Sequence, residues 1–406
     1  MKNRIFMIII TKAIEIAKVM ATAKAKATAT AKAKAMDKAM DKATATAKAK
    51  AMDKAMTIVI SMAMILVVVL NIYGLAGCGG GAANPVPDAP SAESGALPLL
   101  ALVVKDTTNP YMQRMYDGFS TACDEIGAQA ILSGPDTTSI DGQIESIHAL
   151  IEQKAAAIAV AANDADALED ALKSAMDSGI QVISLDSAVN ANSRVLHIQP
   201  ADPEVIGRVL VQAAFRMYRG SGQIAILSTT PYATNQNLWI EWMRRELSDY
   251  PEQYENIRLM EIVYGDDVAE KSKESVRYLL GAYPELDVII APTAVGMSSA
   301  GMVIEEQNSQ TLLTGLALPS EMERYIKNGV CPWMYLWNPI DVGYLAAYTI
   351  EALCKGDISG NAGVTFVAGQ LGTKIITETS DGGFEVVLAN PIKFDAENIS
   401  EWKSIY

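Results

Sequence analysis

The chain has 406 residues, 33 Lys and Arg against 47 Asp and Glu, a formal net charge of −14 and two histidines. That length accommodates two domains with separate cores, and a 50% hydrophobic content with ordinary Gly and Pro usage excludes a disordered or collagen-like chain. The charge is uneven: Met1–Gly77 carries a net +9 and Cys78–Tyr406 a net −23, so the body offers no basic face to nucleic acid, and two histidines leave little for zinc or His-based catalysis.

Residues 27–56 use only Ala, Thr, Lys, Met and Asp, and the fourteen residues ATATAKAKAMDKAM at 27–40 recur at 43–56. Ala alternating with Lys or Thr has little to bury, so this is no solenoid unit. It reads either as a basic extension beside acidic lipid or as a repeat ahead of a start at Met52 or Met56, and residues 1–77 are set apart from the fold. The apolar run Ile58–Leu70 behind Lys54 has the form of a secretory signal, with an anchor helix as the alternative. Leu75-Ala76-Gly77-Cys78 resembles the lipobox of bacterial lipoproteins. That resemblance implies lipidation of Cys78, loss of everything before it, and a chain exported and held on the outer face of the cytoplasmic membrane. Residues 78–97, rich in Ala, Pro, Ser and Gly, read as a flexible tether. Cys123 reads as core within an amphipathic helix, and a Cys331–Cys354 bridge stays open.

From Leu99 onward, strands and helices alternate. Leu99–Val104 is an unbroken apolar run, and a helix is predicted from Pro110 to Ile126. Strand Ala130–Leu132, helix Ile140–Gln153, strand Ala156–Ala161, helix Ala165–Asp177 and strand Gln181–Leu185 follow. In the second half, strands are predicted at Gln223–Leu227, Arg258–Val263, Val288–Ile290 and Leu312–Leu316, and helices at Pro203–Met217, Asn235–Tyr250, Lys271–Ala282 and Ala294–Glu306. Short continuous apolar strands separated by helices imply parallel sheets covered on both faces. Two such sets imply two doubly wound, Rossmann-like α/β domains. No G-x-G-x-x-G follows the first strand, which removes the dinucleotide reading.

Ligands of such sheets sit beyond the carboxyl ends of the strands, so those positions carry the candidates. Lys105 ends the first apolar run and should project into the cleft, with Tyr111 opening the next helix; an exposed pair is the alternative. Asp186-Ser187 follows the strand ending at Leu185, where the carboxylate could accept bonds from vicinal hydroxyls or cap a turn. Asn235, Gln236 and Asn237 offer donors and acceptors at a helix start, where Thr234 or Asn235 could instead serve as the cap. Pro292-Thr293-Ala294 is a small, rigid loop. Trp337 and Asn338 stand at a strand-to-helix junction, where the indole could stack on a sugar or pack in a core. Together these make a polar set around one cleft, suited to a small polyhydroxylated ligand.

In this order, Lys105, Asp186-Ser187, Thr234-Asn235-Gln236-Asn237-x-Trp239, Tyr283 through Pro292-x-Ala294, Leu336-Trp337-Asn338 and Phe394-x-x-Glu397-Asn398-Ile399 resemble the type I periplasmic solute-binding proteins of bacterial ABC importers. The likeness is to the branch that holds rhamnose-binding and autoinducer-2-binding proteins, and it covers Leu99 to Tyr406. Lys105, Asp186, Gln236, Pro292 and Ala294 match the contact set of the autoinducer-2 binders. Asn235 stands where those proteins have Asp, and the Asn-Gln-Asn triplet and Leu-Trp-Asn turn are more similar to the rhamnose binders.

The resemblance implies a ligand cleft between two lobes joined by a three-crossing hinge, near Ile198–Ala201, Tyr335–Asn338 and Val364–Gly369. The N-terminal lobe would then hold residues 98–199 and 338–365, and the C-terminal lobe 200–337 and 366–406. Lys105, Tyr111 and Asp186 would serve from the first lobe and Asn235, Gln236, Pro292 and Ala294 from the second, with Trp337 and Asn338 between them. The expected ligand is a rhamnose-like deoxyhexose or related sugar, with autoinducer-2 the alternative, delivered by a monomer to an ABC permease. A role presenting ligand to a membrane receptor is the other alternative. No catalytic residue, metal or cofactor is expected: there is no Gly-x-Ser-x-Gly, and His148 and His197 fall in helical and strand contexts.

Overall fold

The computed structural model describes residues 97–406, all within one compact unit. The repeat, the export signal, the Cys78 lipidation site and nearly all of the tether lie outside the described residues.

Strand β1 (Leu99–Val103) shows why the sheet must be a middle layer. Leu100 and Leu102 belong to a core with Met115 and Phe119, while Ala101 and Val103 belong to a second core with Ile147 and Leu172. Alternate side chains of one strand point to opposite faces, so this strand is apolar on both and is covered on both. Around it lie β2 (Gln129–Ser133), β3 (Ala157–Val160), β4 (Gln181–Leu185) and β5 (Leu196–Ala201), in the order β2-β1-β3-β4-β5 and all parallel. Helices α1 (Pro110–Ile126), α2 (Ile140–Glu152) and α3 (Glu169–Asp177) make the connections.

The same winding is repeated in the second lobe. After α4 (Pro203–Met217) come β6 (Gly222–Ser228), α5 (Thr234–Asp249), β7 (Ile257–Tyr264), α6 (Ala269–Ala282), β8 (Leu286–Ala291), α7 (Ala294–Glu306), β9 (Leu312–Gly315), α8 (Pro319–Lys327) and β10 (Trp333–Leu336). The four-stranded sheet runs β7-β6-β8-β9, all parallel, and a parallel bridge from Leu316 to Tyr335 brings β10 alongside. The predicted two-domain α/β architecture is therefore the observed one.

Two of the passages between lobes end on the same local device. After Ala201, Asp202 accepts from the Glu204 amide and Pro203 starts α4. After Leu336, Asn338 accepts from the Ile340 amide at 3.0 Å and Pro339 starts α9 (Pro339–Lys355), which returns to the first lobe. An Asx cap satisfies an orphan amide, and proline at the first helical position has none to lose. Helix α9 then packs unusually close to α1: a Cβ on Gly343 would lie 1.8 Å from the Met115 carbonyl oxygen, and one on Gly118 would lie 1.8 Å from that of Ile340.

The third passage corrects the expected boundary. It does not fall at 364–369, and 366–389 does not belong to the second lobe. A hairpin of β11 (Thr365–Val367) and β12 (Thr373–Ile375) leads through β13 (Thr377–Glu378) to β14 (Phe384–Ala389), which runs parallel to β5 with Val386 opposite Ile198 and Ala389 opposite Ala201. This covers an edge of β5 that would otherwise present unpaired backbone groups. Buried Arg194 reinforces the attachment through Asp381 at 2.7 Å. Only after Ala389 does the chain cross, and β15 (Ile392–Asp395) pairs antiparallel with β10 before α10 (Ile399–Trp402). The first lobe also extends to Ala201 rather than stopping at 199. Cys123 and Cys331 are buried free thiols and Cys354 an exposed one, so the 331–354 bridge is not formed.

Candidate functional site

The carboxyl ends of both sheets converge on one cavity of about 60 Å³. Asp186 is its centre on the first lobe. It follows β4 with φ of 60°, a left-handed backbone that Asp tolerates better than most residues. Its Oδ1 accepts from the Tyr111 hydroxyl at 3.2 Å, and its Oδ2 accepts from the Asn235 amide at 3.2 Å. Lys105 Nζ stands 3.5 Å from Oδ2 and donates to Ser187 Oγ at 2.5 Å. Burying a carboxylate is costly unless it is paired and hydrogen-bonded, and Asp186 has one cation, Lys105, and the neutral donors Tyr111 and Asn235 as partners. Burial and the Asp186 charge push the Tyr111 phenol well above its ordinary range, which keeps its proton in place as a donor.

The second lobe contributes fixed amides. Gln236 Oε1 accepts from Ser228 Oγ at 2.7 Å and from the Thr229 amide at 3.0 Å, which orients the side chain and leaves its amino group for the cavity. Asn235 Oδ1 accepts from the Gln236 amide at 2.8 Å, leaving Nδ2 to reach Asp186. Pro292 and Ala294 line the wall between β8 and α7.

The apolar side is aromatic. Trp337 packs edge-on against Tyr111 with ring centroids 6.5 Å apart and lies 5.8 Å from Trp239. Its Nε1 donates to the Tyr111 oxygen at 2.7 Å. Trp337 is thus both a buried packing residue and part of the cavity wall.

The structure therefore brings Lys105, Tyr111, Asp186, Asn235, Gln236, Pro292, Ala294 and Trp337 around one space. It does not bring Asn338 there. That side chain caps α9, so its oxygen is committed to the Ile340 amide.

Asp267 is the residue that sequence reading missed. It follows β7 in the run Tyr264-Gly265-Asp266-Asp267, with φ of 56°, and accepts from the Thr293 hydroxyl at 2.7 Å. Burial raises its carboxyl above the usual range, opposed by the Thr293 bond and the Lys105 charge. The rule that ligand positions follow each strand applies to β7 as well, and would have pointed to it. Thr293, spent on Asp267, leaves α7 without a side-chain cap. The two histidines lie elsewhere: His148 is exposed on α2, and His197 is buried in β5.

Comparison with known proteins agrees with this fold. Residues 100–358 match the periplasmic binding protein domain. The chain belongs to that family. Its members are exported substrate-binding proteins of transport systems, many of them sugar binders that work with ABC transporters. An ABC transporter solute-binding protein from Clostridium phytofermentas, solved with bound L-rhamnose, is 39% identical, with a TM-score of 0.74 over 77% of this chain and all of that one. A sugar ABC transporter protein from Actinomyces odontolyticus is 33% identical, with a TM-score of 0.61 over 75% of this chain and 97% of that one. LsrB from Clostridium saccharobutylicum, solved in complex with AI-2, shares the fold at 20% identity, with a TM-score of 0.70 over 75% of this chain and 99% of that one.

Proposed function

We propose that this protein captures a small neutral sugar, a rhamnose-like deoxyhexose or a close relative, by hinge closure and delivers it to an ABC permease. The observation that carries the reading is Asp186. Its carboxylate is shared by Lys105 and Tyr111 of one lobe and Asn235 of the other. A sugar hydroxyl can donate to that carboxylate and accept from Lys105 or Asn235 at once, which a ligand lacking hydroxyls cannot do.

Gln236 and Asp267 extend the polar wall, while Trp337, Trp239, Leu316 and Leu336 supply an apolar wall of the kind a methyl group would occupy. The 39% identity to a protein solved with L-rhamnose supports the same class. Asn235 favours a sugar over autoinducer-2, whose binders are expected to carry Asp there. Ligand contacts drawn from both lobes would stabilise the closed form and shift the hinge equilibrium toward it. No bond of the ligand is broken. A lipid on Cys78 would hold the closed protein beside its permease.

The test is calorimetry against L-rhamnose, other deoxyhexoses, pentoses, hexoses and autoinducer-2. The expected result is saturable binding of a deoxyhexose. Binding of autoinducer-2 alone would overturn the sugar assignment, and no binding across the panel would overturn the reading.

A further inference from the structure

We infer that Thr234 is a closure latch, a positioning residue that ties the lobes together from outside the cavity. Its hydroxyl donates to the Ala188 carbonyl at 3.1 Å, from the first residue of α5 on the second lobe to the loop after Asp186-Ser187 on the first. Helix α5 has no side-chain cap: Ala233 occupies the cap position, and the Thr234 hydroxyl that could have served locally reaches across instead. One residue on, Asn235 makes the neighbouring interlobe bond to Asp186.

The two bonds differ in kind. Asn235 and Asp186 line the cavity, so a sugar inserted between them competes for that bond. Thr234 and Ala188 are not on the cavity wall, and their bond joins protein to protein whatever the cavity holds. A contact present only when the lobes meet stabilises the closed form alone and slows its opening. It acts on release more than on capture.

This rests on the reading that the cleft opens and closes on a sugar, and the experiment has one arm that needs no sugar. Full-length protein in detergent micelles is compared with Thr234→Val, which keeps the shape and removes the donor, and Thr234→Ser, which restores it. Hydrogen exchange is followed both without ligand and with saturating L-rhamnose, and L-rhamnose release is followed by stopped-flow tryptophan fluorescence. Thr234→Val is expected to speed exchange about fivefold in segments 186–190 and 229–237 alone, and to speed release by about the same factor, with Thr234→Ser like the parent. Unchanged exchange in those segments, or a uniform rise across the chain, would overturn the latch. If L-rhamnose fails to bind the parent protein, the sugar assignment falls, and the exchange arm still decides the latch.

Discussion

The indole Nε1 of Trp337 donates to the hydroxyl oxygen of Tyr111 at 2.7 Å, and Tyr111 in turn donates to Asp186 at 3.2 Å. Trp337 lies on the second passage between lobes, so a single chain of hydrogen bonds runs from the hinge to the carboxylate at the centre of the cleft. Tyr111 thus links the second passage to the carboxylate in the cavity.

Trp337→Phe keeps an aromatic ring beside Trp239 but removes the donor to Tyr111. Loss of one buried hydrogen bond is expected to lower stability by about 1–3 kcal/mol, read from urea unfolding. Stability equal to the parent would mean that the bond contributes nothing net.

Asp186→Asn is nearly isosteric and leaves Lys105 without its carboxylate. Charge-assisted hydrogen bonds contribute about 1.5–3 kcal/mol each, so L-rhamnose affinity is expected to fall by about 10- to 100-fold in calorimetry. Unchanged affinity would remove Asp186 from recognition.

Asn235→Asp places a second carboxylate where the amide now stands, 3.2 Å from Asp186 Oδ2. Two carboxylates this close cannot both ionise freely, and the pair holds a proton at higher pH than either alone. A folded-state pKa raised above the unfolded value gives stability that is present at low pH and lost as pH rises. The variant is therefore expected to match the parent in thermal unfolding near pH 4 and to fall below it at pH 7. Equal stability at both pH values would refute the direct coupling.

His197 sits between Ser184 Oγ at 2.9 Å and Gln199 Oε1 at 2.8 Å, and Gln199 Nε2 donates to the Ala201 carbonyl at the first passage. Burial, with Arg194 adding to it, lowers the imidazole from 6.5 to about 4. Unfolded chains then bind a proton that the folded state refuses, so stability is retained above pH 6.5 and lost as pH falls toward 4. The loss is on the order of 3 kcal/mol. His197→Gln is expected to flatten that part of the pH–stability curve. The same slope in both proteins would assign it to other groups.

Gly343→Ala directs a methyl at the Met115 carbonyl oxygen, 1.8 Å away before relaxation. Helix α9 must then move off α1, at an expected cost of about 1–3 kcal/mol in urea unfolding. A neutral outcome would show that the contact yields easily.

Much of this protein is legible in local pattern. Helices Pro110–Ile126, Pro203–Met217 and Ala294–Glu306 and strand Gln181–Leu185 fall where their predicted spans end. Their limits are written in prolines, polar residues at helix starts and abrupt ends of apolar runs. Eight of the nine expected ligand positions line one cavity, because parallel strands deliver their following residues to the same edge. Asn338 does not line that cavity: a helix cap and a ligand contact use the same residue type, and here its oxygen accepts from the Ile340 amide.

The sequence by itself determined the α/β alternation, the two lobes and the strand-end residues, since each depends on neighbours in the chain. Tertiary structure alone decided that Phe384–Ala389 joins the first sheet between β5 and β13, because its place is set by the open backbone of β5 and not by its own short apolar run. It alone placed Asp267 on Thr293 and Thr234 on Ala188, since such pairs depend on how separate elements dock and no local pattern records that.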